Sequence, residues 1–347
     1  METKVIKVES DNPSLTELSY CAEIIRNGGL VVFPTETVYG LGADGTNPSA
    51  TEKIYNAKGR PSDNPLIIHI SDIKDAEKYA FVNSTYYLLA EQFMPGPLTV
   101  VLPSKDTVPL TTRGGLTTVA VRCPENKIAH ELIRLSGVPI AAPSANLSGS
   151  PSPTSVNHVI DDMYGRVDAI IDGGNCDFGL ESTIVKIDAD NKVTLLRPGK
   201  ITVEDIEALG ISVTIASAVT ASLADGETAI SPGMKYKHYA PKSTLVLLDG
   251  DNDAIISYIK ANCDKKVAII AYTEYLADFS DTNDIDVYDF GYADNNELHA
   301  HLLFKILRET DKKQYDVIYA PVPKISGIGL ALYNRMIRAA AHKIIRL

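Results

Sequence analysis

The sequence predicts an α/β protein of two domains: an N-terminal α/β domain on a twisted mixed sheet, then a linker, then a smaller Rossmann-like, doubly wound α/β domain. Three observations predict it. The chain of 347 residues is long for one hydrophobic core. Its apolar runs, such as LVVF, LIIHI and VAII, are strand-length and alternate with helix-length amphipathic segments. The alternation lapses after residue 210 and resumes in a more regular form at Thr244, which sets domains at 1–210 and 244–347 with a linker at 211–243.

Taken in order, helices are expected at residues 14–27, 48–57, 84–93 and 126–136, the first opening on a Ser14…Glu17 capping-box pattern. Strands are expected at 30–33, 66–70, 98–102, 118–122, 140–142, 169–171, 183–187 and 193–196. Several of these follow one another without a helix, so a mixed sheet is expected rather than a purely parallel one. Gly40, Gly42 and Gly45 read as a glycine-rich turn. After residue 244, the strands LVLLD, VAIIAY, IDVYDF and DVIYAP are separated by helix-length segments, with helices expected at 251–261 and 295–308 and a last one at 328–345.

Composition narrows the function. The net charge of −11 argues against bulk capture of nucleic acid. The residues before 210 hold 18 Lys and Arg against 27 Asp and Glu, so clustered cations there stand out on an acidic background. No apolar run is long enough to span a bilayer, and METKVIKVES lacks an apolar signal core. Cys21, Cys123, Cys176 and Cys263 lie far apart without CxxC spacing, so structural zinc and a disulfide framework are not expected and a cytoplasmic setting is. There is no Walker A loop and no recognisable Ser-His-Asp or Cys-His nucleophile.

The polar segments suit a polyanion held beside a small polar substrate. Thr35, Glu36 and Thr37 stand at a strand end after Pro34. Lys58 and Arg60 flank Gly59 and can reach separate phosphate oxygens, although a solvated helix end reads the same way. The segment APSANLSG (142–149) offers hydroxyl, amide and backbone N–H donors that could cradle a phosphate or simply form a turn. Thr118, Ala120 and Arg122 share one strand face, where small Ala120 leaves room for a ligand and Arg122 is either a carboxylate or phosphate clamp or an exposed arginine. Arg197 ends a strand before Pro198-Gly199. Arg335, Arg338, His342 and Arg346 fall at helical spacing and read as one solvated basic face. The linker stretch SPGMKYKHYAPKS (231–243) packs two tyrosines among basic groups, consistent either with docking on something or with an ordered spacer.

In order, PTETVYGLG, KGRPSDNPL, SANLSG, STIV, LRPG and SPGMKYKHYAP resemble the threonylcarbamoyl-AMP synthase family in its long, two-domain form. The resemblance implies a nucleotidyltransferase in which L-threonine, bicarbonate and ATP, with Mg²⁺ on the phosphates, give L-threonylcarbamoyladenylate and diphosphate. That product serves the machinery that installs N6-threonylcarbamoyladenosine next to the anticodon of tRNA. It implies that Thr35, His69, Arg122, Ala142 and Ser182 meet L-threonine. It implies that Lys58, Arg60, Asn64, Thr118, Ser144, Asn146, Ser152, Arg197 and Tyr236 meet ATP, with Lys58, Arg60 and Arg122 the catalytic group. Segment 231–243 is then expected to fold over the cleft and exclude water from a hydrolysable anhydride. Two other classes are weighed against it: an RNA-binding module, and a carbamoyl-transfer enzyme of related fold. No stable nucleic-acid or membrane binding is expected.

Overall fold

The computed structural model describes residues 2–188, 190–221, 239–263, 265–280 and 285–347. The chain divides into two units, one drawn from Met1–Ser148 and Ser152–Lys235, the other from Gly149–Pro151 and Tyr236–Leu347. Among the described residues, no helix is long and apolar enough to cross a membrane.

The first unit carries a mixed sheet of eleven strands. Side by side these are Lys4–Lys7, Ala169–Asp172, Val31–Phe33, Gly40–Asp44, Ile140–Ala141, Ile67–His69, Thr118–Arg122, Leu98–Pro103, Thr183–Ile187, Val193–Arg197 and Val213–Ile215. Parallel and antiparallel pairs are interleaved, as the helix-poor spacing of the sequence requires. Helices Leu15–Arg26 and Lys127–Ser136 pack Leu18, Cys21, Ile25, Ile128 and Leu132 against Val31, Phe33, Ile140 and Ile171. Each of those large side chains contributes about 1.5–3 kcal/mol by leaving water.

Two local expectations fail here. The glycines at 40 and 42 do not form a turn. They lie in a buried strand, where a Cβ on Gly42 would fall 2.7 Å from the Phe33 ring and 2.8 Å from Ile140 Cγ2. The glycine is there for close packing, which composition cannot distinguish from turn chemistry. Ser14 does precede the first helix, but its side chain makes no capping bond. A capping box does form at Thr202 and Asp205, where both reciprocal bonds are present.

The second unit is a five-stranded parallel sheet in the order Ile285–Asp289, Val267–Ala271, Val317–Pro321, Thr244–Asp249, Ile344–Arg346. Helices Asn252–Ala261, Asn296–Lys313 and Ile328–Ala339 connect these strands. The last helix is shorter than expected. Ala341 and His342 take left-handed backbone (φ 48° and 63°), and the chain then returns as an edge strand. The expected solvated basic face is therefore wrong. Arg335 is fully buried with its guanidinium 5.6 Å from the Tyr239 ring, Arg338 is buried, and His342 and Arg346 lie beyond the helix.

Candidate active site

Strand register, more than any single motif, assembles the site. Ile67–His69 pairs in parallel with Thr118–Arg122 so that His69 is opposite Arg122. Arg122 is opposite Thr99, Thr99 is opposite Ile184, and Ile184 is opposite Arg197 across a register shift. Directly paired residues share a sheet face, so His69, Arg122, Thr99, Ile184 and Arg197 form one row across five strands, polar except at Ile184. Beside it runs an apolar row. Ala120 packs there with Ile67, Val101 and Leu196 and with Ile184 of the first row, so the room expected over Ala120 is filled by side chains.

The turn after Phe33 supplies the row's hydroxyls. Thr35 Oγ1 donates to the Val38 carbonyl at 2.6 Å and accepts from the backbone N–H groups of Thr37 and Val38. That uses its only proton, so in the 2.9 Å contact between Thr35 and Thr37 the Thr37 hydroxyl is the donor. Thr37 Oγ1 in turn accepts from Arg122 Nη2 at 2.9 Å. The same Nη2 lies 2.6 Å from Glu36 Oε1, a buried ion pair. Arg122 Nε is buried and has no acceptor among the described residues, so the guanidinium keeps donor capacity that those residues do not use. Arg122 is thus buried and ion-paired rather than an exposed arginine.

His69 lies beside this cluster. Its Nδ1 faces the Ile140 carbonyl at 3.2 Å, and since a carbonyl only accepts, Nδ1 carries the proton and Nε2 is left as an acceptor. Burial, reinforced by the Arg122 charge, pushes the imidazole down to about 3, so it is neutral at physiological pH. Ala142 is close by, its N–H bonded to the Ile67 carbonyl. Thr35, His69, Arg122 and Ala142 are therefore brought together. Ser182 joins the row through a 2.8 Å contact with Thr99, while Arg197 donates from Nε to the Ser182 carbonyl and from Nη2 to its hydroxyl. Gly199 lets these strands approach: a Cβ there would lie 2.7 Å from Thr183 Oγ1 and 2.8 Å from the Ser182 carbonyl carbon.

Lys58 ends helix Pro48–Lys58, which Gly59 stops in left-handed backbone (φ 61°). The ammonium is buried and does not sit in solvent. It donates to the carbonyls of Ser144 and Asn146, and Ser144 Oγ bonds Asn146 Oδ1 at 2.6 Å. The segment APSANLSG is thereby pinned to the helix end, and bonds Leu41 N to Pro143 O and Ala145 N to Tyr39 O fasten it to the PTETVYG strand. Arg60 donates to the carbonyls of Asn64 and Pro65, while Asn64 Oδ1 is buried without a donor. Ser152 donates to the Glu181 carboxylate. Thr118 stands at the other end of its strand, about 13 Å from Arg122 at the usual rise per residue. Tyr236 lies outside the described residues.

The sequence reading placed Glu36 and Thr37 at the strand end without their Arg122 partner, and missed Thr99 and Glu181. The Glu36 pairing could have been found, since a carboxylate at a strand end among hydroxyls needs a cation if buried. Thr99 could not, because only register brings it to Ser182. A separate groove of about 750 Å³, lined by Tyr20, Glu23, Lys53, Asn56, Arg166 and Asp168 among others, includes none of the expected site residues.

The chain is similar to known proteins over nearly its whole length. Residues 23–199 match the Sua5, YciO and YrdC family, described as telomere recombination, and residues 201–341 match the threonylcarbamoyl-AMP synthase C-terminal domain. The chain is 44% identical to the threonylcarbamoyl-AMP synthase of Pyrococcus abyssi, over 95% of this chain and 96% of the relative. It is 42% identical to that of Bacillus subtilis, over 95% and 94%. The crystal structure of P. abyssi Sua5 complexed with L-threonine superposes with a TM-score of 0.90 at 41% identity, covering 99% of this chain and all of that one. The chain belongs to the threonylcarbamoyl-AMP synthase family, in its two-domain form, and is an enzyme of that family.

Proposed function

We propose that this chain is a nucleotidyltransferase that converts L-threonine, bicarbonate and ATP to L-threonylcarbamoyladenylate and diphosphate, for threonylcarbamoyl modification of tRNA. The observation that carries the reading is the buried row His69, Arg122, Thr99 and Arg197 beneath the PTET turn, with Arg122 retaining donor capacity that the described residues do not use. The threonine-bound relative supports an amino acid as the occupant.

In this reading the threonine carboxylate meets Arg122. The neutral Nε2 of His69 accepts a hydrogen bond, and Thr35, Ala142 and Ser182 close the pocket. The free amine condenses with bicarbonate to a carbamate and water. A carbamate oxygen then attacks the α-phosphorus of ATP, and diphosphate leaves. The attacking oxygen is already anionic, so the site must position and neutralise charge more than abstract a proton. Lys58 and Arg60 serve the phosphates, directly or by holding the Ser144–Asn146 loop, while Asn64, Thr118, Ser152, Arg197 and Tyr236 complete the nucleotide site. Among the described residues no group of three or more His, Cys, Asp or Glu could hold a metal ion. A Mg²⁺ ion, where it takes part, would come with the nucleotide and would supply charge neutralisation at its phosphates.

The test is product identification. Incubation with ATP, L-threonine and ¹³C-bicarbonate should yield threonylcarbamoyladenylate one mass unit heavier than the unlabelled product. Formation of ADP, or of an adenylate without the label, would refute the reaction.

A further inference from the structure

Glu36 is a buried carboxylate inside the candidate site with no role in the reaction as written above. Its Oε1 is 2.6 Å from Arg122 Nη2, and its Oε2 faces the backbone N–H of Asn126 at 3.4 Å. Asn126 is the N-cap of helix Lys127–Ser136, so the carboxylate lies at a positive helix end as well as against a guanidinium. The Glu36 and Arg122 side chains are only 8% and 5% exposed. The backbone around Glu36 is also fixed, since its carbonyl accepts from Phe178 N and the neighbouring Thr37 carbonyl from Gly179 N.

We propose that Glu36 is a positioning and charge-selecting residue: it orients the Arg122 guanidinium and makes the amino-acid subsite neutral, so that the subsite selects a zwitterion over a simple carboxylate anion. This rests on the reading that L-threonine binds at Arg122. The charge inventory is short. Arg122 brings one positive charge, Glu36 one negative, and His69 is neutral. Among the described residues, buried Glu181 and Arg197 beside Ser182 are again one of each sign, and the buried Lys58 ammonium is held by the Ser144 and Asn146 carbonyls. A lone anion on the free edge of the guanidinium would be attracted by Arg122 and repelled, from farther away, by Glu36, so its net attraction is reduced. A ligand with an ammonium beside its carboxylate is neutral overall and escapes most of that repulsion. Orientation follows from the same contacts. Nη2 is tied to Glu36 and Thr37, which leaves the remaining edge of the guanidinium for the ligand.

The experiment compares two ligands by calorimetry on the full chain: L-threonine and 3-hydroxybutanoate, which keeps the carboxylate and hydroxyl but lacks the amine. Wild-type protein is expected to prefer threonine by at least about tenfold, and a ratio near one overturns the proposal without any variant. Glu36→Gln, which keeps shape and removes charge, should weaken threonine about tenfold and strengthen 3-hydroxybutanoate by a similar factor, collapsing the ratio about a hundredfold. Glu36→Asp should restore part of the preference. A folded Glu36→Gln protein that keeps the wild-type ratio, or loses both ligands equally, overturns the inference and leaves the substrate assignment standing. Wild-type protein that binds neither ligand overturns both.

Discussion

His69 offers a quantitative test of how the site is buried. Its imidazole is held down to about 3 from an ordinary 6.5, first by desolvation and then by the Arg122 charge. A depressed histidine favours the neutral form in the folded state. Its contribution is therefore fully present above pH 6.5 and is lost as the pH falls, because the unfolded chain takes up a proton that the native protein refuses. The loss runs at about 1.4 kcal/mol per pH unit from 6.5 down to about 3. Between pH 7 and pH 5, integration gives about 2 kcal/mol from this residue alone. The perturbation is His69→Gln, which retains a hydrogen-bonding side chain and removes the titration. Urea unfolding of both proteins at pH 7 and pH 5 should show the wild type losing about 2 kcal/mol more than the variant. Other groups titrate in both proteins and cancel in the difference. Histidine NMR gives the same answer directly: the His69 ring signals should stay fixed from pH 8 to pH 5. Equal acid sensitivity of the two proteins, or a His69 titration near 6.5, would refute the reasoning.

Three further outcomes follow from contacts in the site. Lys58→Met removes two charge-assisted bonds to the Ser144 and Asn146 carbonyls, worth about 2–4 kcal/mol together. Diphosphate release should fall at least about a hundredfold while threonine affinity stays within about threefold, since these two bonds hold the Ser144–Asn146 loop rather than the Arg122 guanidinium. Gly199→Ala forces a methyl against the Ser182–Thr183 backbone. It should cost about 1–3 kcal/mol in thermal unfolding and weaken threonine binding, and an unchanged melting temperature would contradict the close approach. Deleting residues from 231 onward should impair ATP turnover while threonine binding survives. Full turnover by that truncation would end the idea that segment 231–243 protects the intermediate.

Much of this arrangement was legible in the sequence, and the failures share a cause. Helices Ser84–Phe93 and Lys127–Ser136 were readable because amphipathic period and polar caps are local properties. The candidate site residues on Ile67–His69, Thr118–Arg122 and Val193–Arg197 were readable because polar groups at strand ends break an apolar run. Gly42 was misread because the constraint on it is the Phe33 ring across the sheet, not its own dihedral. Arg335 was misread because helical spacing shows which residues share a face but not what covers it. Tyr239, nearly a hundred positions earlier, turns that face inward. The Glu36 pairing was passed over because it depends on a partner 86 positions away. In each case a long-range pairing decided a residue's role, and one sequence does not carry pairing.

The central claim is that the buried Arg122 row holds an amino acid whose carbamate attacks ATP. The most direct measurement is diphosphate release by the full chain with ATP and Mg²⁺, adding bicarbonate and L-threonine separately and together. Release that requires both, and falls to background in Arg122→Gln, is the predicted result. Release at the same rate without threonine would contradict the account.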